Sequence, residues 1–167
     1  MSLDQRTAMP GLPKLFSPQD GHQSGTALFV ARGTRRLLWR LNFSTVTELP
    51  LLTGRRADIV ALAMDGTIFI VEIKSSIEDF RADIKWRDYR THCDRLFFAI
   101  PETVPSEIMP EDAGLILADA FGAEILRQAP EHRIAAATRR AVLMRFAHAA
   151  AHRLHRLSDP EVIARDD

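Results

Sequence analysis

The stretch Ala57-Asp58-Ile59-Val60-Ala61-Leu62-Ala63-Met64-Asp65-Gly66-Thr67-Ile68-Phe69-Ile70-Val71-Glu72-Ile73-Lys74 decides how this chain folds. Two runs rich in β-branched and apolar residues, Asp58 to Ala63 and Thr67 to Lys74, flank an Asp-Gly pair, which is a strong hairpin signal. Along the second run Glu72 and Lys74 point to one face, and Phe69, Val71 and Ile73 to the other. The loop length then decides which face Asp58 takes. A two-residue loop, Asp65-Gly66, pairs Asp58 with Ile73 and sends the two acids apart. A three-residue loop, Met64-Asp65-Gly66 with Gly66 left-handed, pairs Ala63 with Thr67 and therefore Asp58 with Glu72. That register also sets Arg56 opposite Lys74.

Outward from the hairpin, Val30, Thr34, Leu37, Leu38 and Leu41 recur at helical spacing from Ser24 or Thr26 to Leu41, with Arg32, Arg36 and Arg40 on the other face. Phe43 to Leu52 suits a strand and contains Glu48. After the hairpin, Ser76 offers a helix N-cap with Glu78 and Asp79 in the first turn. That helix is predicted to carry Phe80, Ile84, Trp86 and Tyr89 as far as Cys93. Arg95 to Ile100 reads as a strand closed by Pro101, then a proline-rich loop leads to a second hairpin, Gly114 to Ala118 and Ala123 to Leu126, around Phe121-Gly122. A last helix is expected from Glu131 to Leu157. The order predicts an α/β fold with a mixed central sheet flanked by helices, its third and fourth strands parallel across the connecting helix.

At 167 residues, with 46% hydrophobic and 26% charged residues, the chain fits one globular domain. We expect a mobile lead at 1–24, where prolines and glycines outnumber any apolar period, a single domain over 25–160 and a tail at 161–167. The single cysteine, Cys93, cannot form an internal disulfide and reads as a small buried residue. No stretch approaches the roughly 18 apolar residues of a membrane span, and the start lacks the pattern of a signal peptide, so the cytoplasm is the default location. Formal net charge is zero, so affinity for nucleic acid must come from a local patch. Arginines gather in two regions, one with Arg32, Arg35, Arg36, Arg40, Arg55 and Arg56, the other with Arg133, Arg139, Arg140, Arg145, Arg153 and Arg156.

A Glu-x-Lys triplet alone is weak, since it arises by chance in about every second protein of this size. In the three-residue register, however, two carboxylates converge beside an ammonium, and such oxygen-rich pairs suit Mg²⁺ or Mn²⁺ better than zinc. A divalent ion there would neutralise the acids, polarise a phosphoryl oxygen and activate water. The plain alternative is a solvated salt bridge across a hairpin. Glu48 is either a further site acid or a solvent-facing strand residue. Trp86 and Tyr89 are candidates for base stacking or for core packing, Lys85 for a phosphate contact, and Arg55 and Arg56 for phosphates beside the acids. His148, His152 and His155 share a helical face, but arginines flank them and no nearby carboxylate completes a metal set.

Asp58, a hairpin, Glu72-Ile73-Lys74, then a helix and a strand resemble the PD-(D/E)XK nuclease superfamily over residues 26 to 100. Its core is helix, three strands, helix, strand, and Ala57 stands where the superfamily's name has proline. The resemblance implies a restriction-endonuclease-like αβββαβ core, metal binding by Asp58, Glu72 and the carbonyl of Ile73, Lys74 at the attacking water, and Glu48 as a further acid. More narrowly, Gly54-Arg55-Arg56-Ala57-Asp58, Val71-Glu72-Ile73-Lys74-Ser75-Ser76, Asp79-Phe80-Arg81-Ala82-Asp83 and Lys85-Trp86 look like the MmcB-like bacterial DNA repair proteins, a likeness that runs on through Cys93-Asp94-Arg95 and Gly114-Leu115-Ile116. This implies metal-dependent hydrolysis of DNA by an endonuclease or nuclease-like repair factor, with DNA and repair proteins as partners. The rival reading is a non-catalytic DNA- or protein-binding module on the same fold.

Overall fold

The computed structural model describes residues 24–161, so all but Ser24 of the expected lead and all but Glu161 of the expected tail lie outside the described residues. The elements run α1 (Gly25–Arg40), β1 (Ser44–Pro50), β2 (Arg56–Leu62), β3 (Ile68–Ile73), α2 (Ile77–Ala82), β4 (Arg95–Ile100), β5 (Gly114–Ala118), β6 (Ala123–Arg127) and α3 (Ala136–Ser158), with 3₁₀ segments at Trp86–His92 and Ser106–Ile108. The six strands form one sheet in the order of the chain. β1, β2 and β3 are antiparallel neighbours, β4 and β5 continue parallel to β3, and β6 returns antiparallel. This is the mixed sheet with flanking helices that the sequence predicts, in the expected αβββαβ order. Among the described residues no helix is long and apolar enough to cross a membrane.

Both faces of the sheet are covered, because its central strands are apolar on both sides. α1 buries Val30, Leu37 and Leu38 in a cluster with Ile59, Val71, Ile73 and Phe97. On the other face Val60, Ile70, Leu96 and Phe98 pack with Trp86, Tyr89 and, from α3, Val142 and Phe146. By the alternation of a strand, Asp58 and Glu72 belong to this second face.

The central hairpin closes as the three-residue reading requires. Leu62 pairs with Ile68 and Ile59 with Val71. Ala63 N–H donates to the Thr67 carbonyl at 3.0 Å, and Gly66, at φ +86°, donates to Ala63. Asp94 pins this turn end. Its carboxylate accepts Ile68 N–H and a two-pronged bond from Arg139, which also donates to the Gly66 carbonyl.

Two expected helices are shorter than predicted. The connection from β3 to β4 is not one helix to Cys93. α2 stops at Ala82, and Asp83, with ψ +79°, turns the chain, its carboxylate accepting the Lys85 amide while Lys74 holds its other oxygen. Ile84 is consequently 78% exposed instead of lining a helix face. α3 begins at Ala136, not Glu131, its N-cap Ala135 being extended. Ala129 and Ile134 are buried in the two cores, and His132 N–H donates to the Asp94 carbonyl.

Candidate functional site

Past the Ile59–Val71 pair, β2 and β3 stop exchanging backbone hydrogen bonds and side chains take over. Glu72 Oε1 accepts the backbone N–H of Asp58 at 3.2 Å, and Asp58 Oδ2 accepts the backbone N–H of Ile73 at 2.8 Å. Each acid thus occupies the ladder position that a carbonyl would fill and is aimed by the opposite strand's backbone. The structure therefore brings Asp58 and Glu72 together. Beyond them Lys74 N–H turns to the Ala99 carbonyl of β4, so Arg56 and Lys74 do not pair as the extended register would have it. Arg56 pairs with Glu48, and Lys74 with Asp83.

Burial sets the electrostatics. Glu72 is only 3% exposed, and that desolvation, with the nearby Asp58 charge, holds its pKa well above the usual carboxylate range. Asp58 is pushed up to about 6, chiefly by burial and also by Glu48, against the Ile73 hydrogen bond and Lys74, which favour its ionised form. Lys74 is 4% exposed. Burial works against its ammonium, but the 2.7 Å bond to Asp83, helped by Glu72, outweighs that and raises its pKa. Lys74 is thus a fixed cation. Asp83 is a site residue that the sequence reading misses; the signal was its place four residues after Asp79 in a helix capped by Ser76. Asp79 itself accepts from the Ser75 amide and hydroxyl, closing the turn that follows β3.

Glu48 sits opposite Asp58, between the pairs Thr47–Ile59 and Leu49–Ala57. Its φ is +52°, a left-handed conformation that costs a residue with a side chain on the order of 1 kcal/mol. The effect is visible in the strand. Val46 and Leu49, which regular alternation would send to opposite faces, both enter the core on the Asp58 side. Glu48 is partly buried and acts electrostatically on Asp58, so it is not a solvent-facing strand residue.

The other candidates separate. Arg55 is paired with Asp88 at the surface, and Arg56 is exposed beside Glu48. Lys85 is exposed. Trp86 and Tyr89 are 4% and 8% exposed, Trp86 edge-on to Phe98 and the Tyr89 hydroxyl donating to the Arg56 carbonyl. Their rings are core, as the packing alternative has it, which removes both as stacking candidates. Cys93 is fully buried, its thiol pushed up to about 12 by desolvation. His148 and His152 stack on each other on the outer face of α3.

Two carboxylates and a neighbouring backbone carbonyl make a small, hard donor set. Among the described residues no group of three or more His, Cys, Asp or Glu side chains is placed to hold a metal. A two-carboxylate set fits Mg²⁺, which usually keeps several waters and takes one or two protein carboxylates.

Sheet and site together define a class: an α/β domain of αβββαβ order whose central hairpin opens onto paired acids. The model of the DNA repair protein MmcB-like family matches residues 16–161, and the chain belongs to that family. Membership carries a role in DNA repair. A protein of unknown function from Silicibacter pomeroyi is similar at 41% identity and a TM-score of 0.80, over 84% of this chain and 96% of that one. A repair endonuclease from Pyrococcus abyssi is similar at 16% identity and a TM-score of 0.40, over 62% of this chain and 49% of that one. No functionally curated protein matches the chain.

Proposed function

We propose that this protein hydrolyses phosphodiester bonds in DNA at Asp58, Glu72 and Lys74, with Mg²⁺ or Mn²⁺ held by Asp58, Glu72 and the carbonyl of Ile73. The observation that carries the reading is the mutual bracing of the acids, each fixed by the opposite strand's amide and both driven toward the neutral form by burial. Burying two carboxylates together is unfavourable, and a divalent cation is the partner that reverses the cost. When bound, such an ion polarises a phosphoryl oxygen and lowers the pKa of an attacking water. Lys74, held by Asp83, orients a water or stabilises the negative charge that builds on the phosphate. Glu48, opposite Asp58, adds negative potential beside the acids. Exposed Arg56 and Lys85 supply phosphate contacts at the rim.

The closed Lys74–Asp83 pair favours a second reading, a non-catalytic DNA- or protein-binding module, because it leaves the ammonium committed. A cleavage assay separates the two. Wild type, Glu72→Ala and Lys74→Ala are incubated with single-stranded, duplex and branched DNA in Mg²⁺ or Mn²⁺. Metal-dependent cleavage by wild type alone supports hydrolysis. Equal activity in all three, or salt-sensitive binding without cleavage, contradicts it.

A further inference from the structure

On the face of the sheet opposite Asp58, α1 presents a different surface. No acidic residue occurs between Asp20 and Glu48, while Arg32, Arg35, Arg36 and Arg40 follow one another along the helix. Gly33 lies so close to the β5–β6 turn that a Cβ there would come within 2.1 Å of the Asp119 carbonyl. That close approach brings Phe121, at the tip of the turn, alongside α1. Arg36 donates to the carbonyls of Ala120 and Phe121, and Arg40 to that of Ala123. Arg36 Nη1 and Arg40 Nη2 make these bonds, a small part of the five N–H donors each guanidinium carries.

Between the arginines stand two large rings in water. Trp39 is 77% exposed and Phe121 82%. Together with Arg32, Arg35, Arg36 and Arg40 they line a groove of about 510 Å³. Asp119, in the turn beside it, accepts the Phe121 and Gly122 amides at Oδ1. Two partly buried arginines connect the groove to the edge strand β1. Arg35 donates to Thr45 and lies near Arg153 of α3, and Arg153 donates to Thr47, one residue from Glu48. α3 also carries no acid along its length.

We propose that this groove binds single-stranded DNA, with Trp39 and Phe121 stacking on unpaired bases and Arg32, Arg36 and Arg40 holding phosphates. Rings interleaved with guanidinium groups suit a single strand, whose bases offer their faces; a duplex keeps its bases stacked and would meet only the arginines. The choice of nucleic acid over an acidic protein rests on membership in the repair family, and it does not depend on catalysis at Asp58. Where the Asp58 reading holds, the run from Arg35 and Thr45 to Arg153 and Glu48 would lead a strand from the groove round β1 to the acids, and the groove would select DNA with a single-stranded segment for the site.

The test titrates the full chain in EDTA against dye-labelled oligothymidine and a labelled duplex of equal length, affinity being read from the anisotropy of the label in every variant and, in wild type, from tryptophan emission as well. Trp39 is the exposed one of two tryptophans and reports directly. Oligothymidine should quench its emission. Trp39→Ala and Phe121→Ala should each weaken single-strand binding about 5- to 100-fold and leave duplex binding much less changed. Arg36→Ala should lower the slope of log affinity against log salt by roughly 0.7. Unchanged single-strand affinity in Trp39→Ala, equal dependence of duplex binding on Trp39, or no binding of oligothymidine at low salt would each overturn the proposal. Cleavage that ignores Trp39→Ala sinks the groove and leaves the nuclease reading standing; Trp39-dependent binding without cleavage does the reverse.

Discussion

The two ends of the central hairpin are built from the same strands by opposite means. At the turn, backbone meets backbone, Ala63 with Thr67, and Asp94 and Arg139 hold the loop from outside. At the open end the ladder is made with side chains, Asp58 and Glu72 taking the amides that carbonyls would otherwise accept. The closed end therefore stabilises. The open end spends stability to hold two acids where neither is comfortable, a cost that the proposed cation would offset.

Substitutions should split the two ends. The largest effect is expected from Glu72→Ala, which should lower metal-dependent cleavage by about 10³-fold or more while the turn end stays folded. Activity within tenfold of wild type would break the contrast. Next, Asp83→Ala leaves the Lys74 ammonium buried without its partner and should cost about 3 kcal/mol of stability, read by denaturant unfolding. Asp83→Asn, which keeps a hydrogen-bond acceptor, should cost less.

Asp58→Asn sharpens the contrast from the other side, since it should stabilise the metal-free protein. With a folded pKa of about 6, above its ordinary value, Asp58 binds more protons folded than unfolded. Its contribution is thus fully present below about pH 4 and lost as pH rises through about 6. The variant's advantage should grow over that window and level off above it at roughly 1 to 3 kcal/mol. An advantage that shrinks with rising pH would contradict the buried-acid account. The smallest effect belongs to the turn. Gly66→Ala must adopt φ +86° and should lose about 1 kcal/mol, with cleavage per folded molecule little changed because the open end is fixed by its own side chains.

Much of this arrangement was legible in the sequence, because strand parity is strict. Once Gly66 closes a three-residue turn, Asp58 can only face Glu72. The parallel step from β3 to β4 followed from the connection between them. The break at Asp83 was hidden, since Ile84 at helical spacing looks like a core residue, and only the bond to Lys74 shows why the helix ends. The left-handed Glu48 has no local signal, being neither glycine nor asparagine. Trp39 and Phe121 carry no sequence signal of exposure, because apolar residues default to the core, whereas Trp86 and Tyr89, candidates for stacking or for packing, are buried. Helical periodicity could not foresee that the β5–β6 turn would meet α1 at Gly33.

The most direct test of the paired-acid site is Mn²⁺ binding followed by electron paramagnetic resonance at pH 8, comparing wild type with Glu72→Gln. The amide keeps an acceptor for the Asp58 N–H and removes the charge, so the fold should persist. Wild type should bind Mn²⁺, Glu72→Gln should bind at least about tenfold more weakly, and wild-type binding should fall away below pH 6 as Asp58 takes up its proton. Equal Mn²⁺ affinity in the two proteins would mean that Asp58 and Glu72 do not share a cation.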